Sequence, residues 1–482
     1  MADFIVAIEL GSSKITGIAG KKNLDGSIRV LAVVKEDATS CIRKGVVNNI
    51  DKTVQALDNV IKKLENTLKT KIARVYVGVN GQSIRSEKNI IVKQLPADTK
   101  VTVDMVNGLM DANRSMQYPD QEILDAVTQE YKVDNQLQVD PAGFICSRLE
   151  GNFLNILWRK SFYRNLNRCF ENAGIAIAEM YLSPLALADV VLTDAERRGG
   201  CVLVDLGAET TTVAVYFRDI LRHLAVIPLG SNNITKDLTS LQMEDKTAEE
   251  MKLKYASAYT DSSEIDMEKT YPIDHDRSID MPKFVEIVEA RLQEIIENAW
   301  HQVPDEFMGK LLGGIVLTGG GSNMKDIEKA FKILTHTDKV RIAGSVTTTI
   351  ISKSPAITAK DGTMCTALGL LAKGNMNCAG SEISDSLFQN EQPVNEAPVQ
   401  PITHSTTENG KGIIKTEAEK AAEEAAKRKQ EEEEERRRQQ EAEEEEERRR
   451  KKRENSWFHK AVNGLKTFGR KMVEEEEEED EK

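Results

Sequence analysis

The sequence predicts an α/β protein of two duplicated lobes around a cleft, with an inserted subdomain, then a charged linker and a C-terminal amphipathic helix. Three observations predict it. A short apolar run ending in acid, Leu, Gly and a small residue occurs at Glu9 and recurs at Asp205, 205 − 9 = 196 residues later. Strand and helix patterns alternate around both copies. Beyond residue 374 the composition becomes almost wholly polar.

With 482 residues the chain exceeds one compact core, and a hydrophobic fraction of 40% supports globular packing. The net charge of −13 argues against a general nucleic-acid binder, so no nucleic-acid partner is expected. Six scattered cysteines form no CxxC pair, which fits reduced thiols better than a disulfide framework or a zinc site. No basic region followed by a long apolar stretch opens the chain, so no signal peptide is expected. No apolar run reaches the roughly 20 residues a membrane-spanning helix needs. Membrane contact, where it occurs, is therefore expected to be peripheral.

Residues 5–8 and 15–19 read as two strands joined by the Gly11-Ser12-Ser13 turn. Residues 51–70 carry an amphipathic helix pattern, and 75–79 a strand; this is the first part of lobe one, 1–81. Residues 82–158 read as an inserted subdomain with short strands at 90–92 and 153–157 and helical pieces at 103–115 and 121–127. Lobe one resumes over 159–198, with a helix at 164–173 and a strand at 175–182. The second hairpin opens lobe two over 199–230, in which Val202, Leu206, Gly207 and Thr212 match Val6, Leu10, Gly11 and Thr16. A charged, helical subdomain is expected over 231–304. Lobe two closes over 305–374, with a strand at 314–318, a triple-glycine turn and a helix at 324–331. Residues 375–454 read as a low-complexity charged linker. Residues 455–473 form the amphipathic segment, and 474–482 an acidic tail.

Two glycine turns facing each other across a cleft suit a polyphosphate, because backbone N–H groups approach its oxygens where no Cβ intervenes. Gly11 and Gly207 supply such turns, Ser12, Ser13, Thr210 and Thr211 supply hydroxyls, and Lys14 supplies a cation. The acids before the turns, Glu9 and Asp205, suit Mg²⁺ held through water, since that ion dehydrates reluctantly. Gly319, Gly320, Gly321 and Ser322 provide a third close approach, for a flat base or a ribose, with the following helix N-terminus adding a favourable dipole.

This order of phosphate hairpin, connector, second hairpin and glycine turn resembles the actin, Hsp70 and sugar-kinase superfamily. Over about residues 3–374 the chain is similar to its FtsA family, on Asp140-Pro141-Ala142-Gly143, Ile227-Pro228-Leu229-Gly230, Ala248-Glu249-Glu250-Met251-Lys252 and Thr366-Ala367-Leu368-Gly369. The resemblance implies actin-like, ribonuclease-H-like lobes around a nucleotide cleft, with ATP and Mg²⁺ as ligands and Glu249 and Lys252 flanking the ribose and adenine. It further implies a cell-division protein that polymerises with itself at the cytoplasmic face of the inner membrane. There, at the division septum, it would anchor FtsZ filaments and help recruit later division proteins. Two departures stand out. The first-hairpin acid, usually Asp in the family, is Glu9. Where relatives that hydrolyse ATP well carry Glu or Gln, the connector here has Ser183, which implies weak or absent hydrolysis.

In the last segment Trp457, Phe458, Val462, Leu465, Phe468 and Met472 fall on one helical face, opposite Lys460, Lys466, Arg470 and Lys471. That pattern suits the interface of an anionic bilayer, although the acidic tail would be repelled by the same lipids. The alternative from another class is a small-molecule kinase, acting on a sugar or acid, of the same superfamily. The tether and amphipathic helix have no obvious use in such an enzyme.

Overall fold

The structure, a computed structural model, describes residues 3–380. Most of the expected linker, the amphipathic helix with its membrane-facing residues, and the acidic tail lie outside the described residues.

Each lobe is built on the same five-strand unit. In the first, Ile5–Leu10 pairs antiparallel with Lys14–Lys22, which pairs with Ile28–Asp37; on its other side run the parallel strands Arg74–Val79 and Ala176–Leu182. In the second, Cys201–Leu206, Thr211–Phe217 and Ile220–Ile227 are followed on the far side by parallel Gly314–Thr318 and Val340–Ile342. The central strands are continuous apolar runs because helices cover both faces of the sheets. Val6, Ala7 and Ile8, and Val202, Leu203 and Val204, are accordingly buried. The helix Ile50–Leu68 packs through Ala56, Leu57, Val60 and Leu64, spaced for one face, and starts where Asn49 accepts a hydrogen bond from the Lys52 amide. The apolar helices Ser183–Val191 and Cys365–Lys373 pack together in the core of the first lobe.

The inserted segment comprises Arg85–Lys100, Val103–Arg114, Gln121–Val133, Gln136–Gln138 and Ile145–Arg159. The helix expected over 121–127 is instead a strand, paired along its length with Ile145–Arg159. The register shift opposite Ile156/Leu157, with Leu124 as the extra residue, breaks the two-residue alternation of Ile123, Leu124, Ala126 and Val127, leaving a spacing that imitates a helix. The short strands expected at 90–92 and 153–157 are the middles of far longer ones. Val101, Leu109, Tyr131, Val133, Leu149 and Phe153 give the insertion its own small core.

Although the chain enters the insertion from lobe one, the insertion is bonded to lobe two. Arg85 pairs with Ala225, the Val226 amide donates to Ile84 O at 3.0 Å, and Gln129 Nε2 donates to Leu221 O at 2.9 Å. Buried Arg222 donates to Glu130 Oε1 at 2.8 Å. The second sheet thereby runs through nine strands.

Residues 375–380, grouped by composition with the linker, stay on lobe one. The Tyr76 hydroxyl donates to Asn375 Oδ1 and accepts from the Asn375 and Met376 amides, and Cys378 is fully buried. The helix expected over 324–331 starts later, at Ile327. A 3₁₀ turn, Gly320–Asn323, precedes it, and Asp326, at φ 58°, interrupts the path between them.

Candidate functional site

The two hairpins agree bond for bond. Glu9 lies opposite Thr16 and Asp205 opposite Thr212, while Leu10 pairs with Ile15 and Leu206 with Thr211. Gly11 N–H donates to Lys14 O at 3.0 Å, and Gly207 N–H donates to Thr210 O at 2.9 Å. A Cβ on Gly11 would stand 2.9 Å from Lys14 O, and one on Gly207 2.7 Å from Thr210 O, so neither turn closes with a larger residue.

Both turns open into one cavity of about 1580 Å³. Lobe one contributes Glu9, Gly11, Ser12, Ser13 and Lys14 to its wall; lobe two contributes Asp205, Gly207 and Thr210. Glu249 and Lys252 reach it from the helix Asp245–Tyr255, and Gly319, Gly320 and Gly321 close the remaining side. Gly319 adopts φ 82°, and a Cβ there would sit 2.3 Å from Asp205 Oδ1, so glycine is what lets this turn lie against the acid. Two expected contact residues face elsewhere. Thr211 is buried and donates its hydroxyl to Leu229 O at 2.9 Å; Ser322 is buried and donates to Gly319 O at 2.7 Å. Both fix the shape of their turns, because a buried hydroxyl takes the nearest backbone acceptor.

The acids feel one another. Burial, then the charge of Asp205, pushes the Glu9 carboxyl up to about 8, with Lys35 acting in the opposite direction. Burial raises Asp205 to about 6. A site with two such carboxylates favours a cation between them.

Lys252 is almost wholly buried and meets Glu249 Oε2 at 2.7 Å, Thr235 Oγ1 at 2.9 Å and Ser231 O at 3.2 Å. Thr235 also donates to Glu249, so this corner of the cavity is fixed by a closed polar network. Ser12 Oγ accepts from the Gly45 amide at 2.8 Å, which leaves its own proton to donate. Ser183 lines the cavity as a buried residue, its hydroxyl without a hydrogen-bond partner among the described residues.

Sequence reasoning did not single out Lys35, Asn80 and Asp361, which line the same cavity. It also missed Glu209, which binds the lobes together: Glu209 Oε2 accepts from the Lys44 amide at 2.8 Å while Lys236 holds its other oxygen. The Asp205-Leu206-Gly207 pattern marked the turn, but a contact with residue 44 leaves no local signal.

The family model described as cell division protein FtsA matches residues 202–369, and that of the SHS2 domain inserted in FtsA matches residues 81–157. A cell division protein FtsA from Porphyromonas gingivalis is 31% identical over 339 residues, covering 69% of this chain and 71% of that protein. Its counterpart from Neisseria meningitidis serogroup B is 32% identical over 379 residues, covering 76% and 89% respectively. Among solved structures, a chain of the PilM-PilN type IV pilus biogenesis complex shares the fold, with a TM-score of 0.52 and 15% identity over 76% of this chain and 97% of that one. With its duplicated actin-like lobes and SHS2 insertion, the chain belongs to the FtsA family of cell-division proteins.

Proposed function

We propose that the cleft binds ATP with Mg²⁺ and that the nucleotide acts as a ligand and polymerisation switch rather than as fuel for rapid turnover. The observation that carries this reading is the pair of equivalent glycine turns opening into one cavity, each preceded by a buried acid. Gly11 and Gly207 leave room for phosphate oxygens, and Ser12, Ser13, Thr210 and Lys14 supply donors. Glu249 and Lys252 flank the ribose and base, opposite Gly319, Gly320 and Gly321.

The donor set fits Mg²⁺. Glu9 and Asp205 are hard oxygen ligands, and their mutual repulsion is relieved by a divalent charge. The ion would be held by these two carboxylates through water and would offset the negative charge of the phosphates. Ser183 offers neither a carboxylate nor an amide to orient an attacking water, which supports weak or absent hydrolysis.

At the level of the cell, the protein polymerises on the cytoplasmic face of the inner membrane at the septum. There it anchors FtsZ filaments and helps recruit later division proteins. Family membership supports this role, and so does the sequence spacing of Trp457, Phe458, Val462, Leu465, Phe468 and Met472, which suits an amphipathic membrane contact. Among the described residues no helix is long and apolar enough to cross a membrane.

A fluorescent-nucleotide titration tests the cleft. Asp205→Ala is expected to weaken Mg·ATP about tenfold or more, as loss of a metal-associated carboxylate should; unchanged affinity would move the site elsewhere. Sedimentation with anionic liposomes tests the anchor: removal of residues 456–482 should abolish binding, and undiminished binding would refute the assignment.

A further inference from the structure

The lobes match in register, so a position at which they differ in charge stands out. In lobe one, Gly78, Glu9, Thr16 and Lys35 occupy one level across four neighbouring strands. The same level in lobe two holds Thr318, Asp205, Thr212 and Val226. Acid matches acid and threonine matches threonine, but Lys35 stands where lobe two has buried Val226. Residues at one level of adjacent strands project from the same face of the sheet. Glu9, Thr16 and Lys35 all line the cavity. Thr16 is short, which leaves space above it for a long side chain coming from the next strand.

The other cations around the cavity are not equivalent to Lys35. Lys252 is held by Glu249 and Thr235, Lys236 by Glu209, Lys246 by Glu250 and Lys325 by Asp326, while Lys254 and Lys269 lie over the rings of Tyr255 and Tyr271. Lys14 and Lys35, both on lobe one, make no ion pair within 4 Å among the described residues. Lys35 is half-buried, so its ammonium is only partly solvated. Burial and the charge of Lys14 disfavour that charge, while Asp361 and Glu9 favour it. A partly solvated ammonium with no salt-bridge partner is well disposed toward an incoming polyanion.

We propose that Lys35 is a second cationic ligand of the phosphate chain, acting beside Lys14, so that lobe one makes the cleft select among nucleotides by their charge. The inference rests on the nucleotide reading of the cleft and names a residue for it. Lobe two then contributes its acid and its glycine turn, and the cationic half of phosphate recognition comes from one wall.

The experiment is a competition titration of the full chain at fixed Mg²⁺, using a fluorescent ATP analogue displaced by ATP, ADP or adenosine. For Lys35→Gln the expected losses grade with ligand charge: about tenfold for ATP, about threefold for ADP and none for adenosine. Lys35→Arg keeps the charge and should stay within about threefold of wild type for all ligands. Equal losses for all three ligands, or no loss for ATP, would overturn the proposal while leaving the nucleotide site standing. If Lys35→Gln does not fold, Lys35→Met, which keeps the apolar stem without the charge, carries the same test: losses that grade with ligand charge support the proposal, and equal losses or none overturn it. Failure of the wild-type chain to bind any of the ligands would remove the nucleotide reading itself, and Lys35 with it.

Discussion

The two lobes share a hairpin down to its hydrogen bonds, yet their third strands are put to different uses. In lobe one, Ile28–Asp37 carries Lys35 into the cavity and, among the described residues, pairs at its outer edge only with the short strand Ile350–Ile351. In lobe two, Ile220–Ile227 carries Val226 at the matching level and binds the inserted subdomain at its outer edge. A repeated scaffold thus keeps its acids and glycine turns and diverges where it meets its neighbours. The first hairpin also has the longer acid, Glu9, facing the shorter Asp205.

The largest expected effect tests that pair of acids. Both carboxyls titrate higher in the folded chain than in the unfolded one. Between about pH 4.5 and 8 folded Glu9 holds a proton that the unfolded chain has released, and Asp205 does the same between about 3.8 and 6. Their contribution is therefore complete at low pH and is lost as pH rises through these windows. In chelator and without nucleotide, stability should fall from pH 5 to 8, by on the order of a few kcal/mol. Glu9→Gln should flatten the upper part of the profile and Asp205→Asn the lower part. Denaturant midpoints measured across pH would break the comparison if Glu9→Gln left the slope above pH 6 unchanged.

A smaller effect is expected at the outer edges. Arg222→Met removes the buried partner of Glu130 and Gln129, and should cost about 2 kcal/mol in equilibrium unfolding. Arg29→Met, on the matching strand of lobe one and exposed, should stay within about 0.5 kcal/mol. Equal costs for the two substitutions would mean that the insertion is not secured through lobe two.

Much of this was legible in the sequence. Acid, Leu and Gly specify a strand end and a tight turn locally, so both hairpins and the cavity walls around Gly11, Gly207 and Gly319 could be read directly. The strand over residues 121–133 could not, because a bulge at Leu124 erases the alternation that would have announced its first half. Lys35 was hidden for another reason. Its place level with Glu9, across Thr16, depends on register across three strands, and no window of sequence contains that. Thr211 and Ser322 were legible as turn residues but not as inward-facing ones, since the direction of a hydroxyl is decided by the acceptor it finds.

The insertion is threaded from one half of the molecule and bonded to the other. A rotation of the halves about the cleft cannot leave it a passive rider. Its two covalent joints, around Asn80–Ile84 and Arg159–Lys160, would have to take up the angle. The first joint contains Gly81 at φ 137° and Ser83 at φ 71°. Any such rotation would therefore also turn a subdomain that has no residue in the cavity.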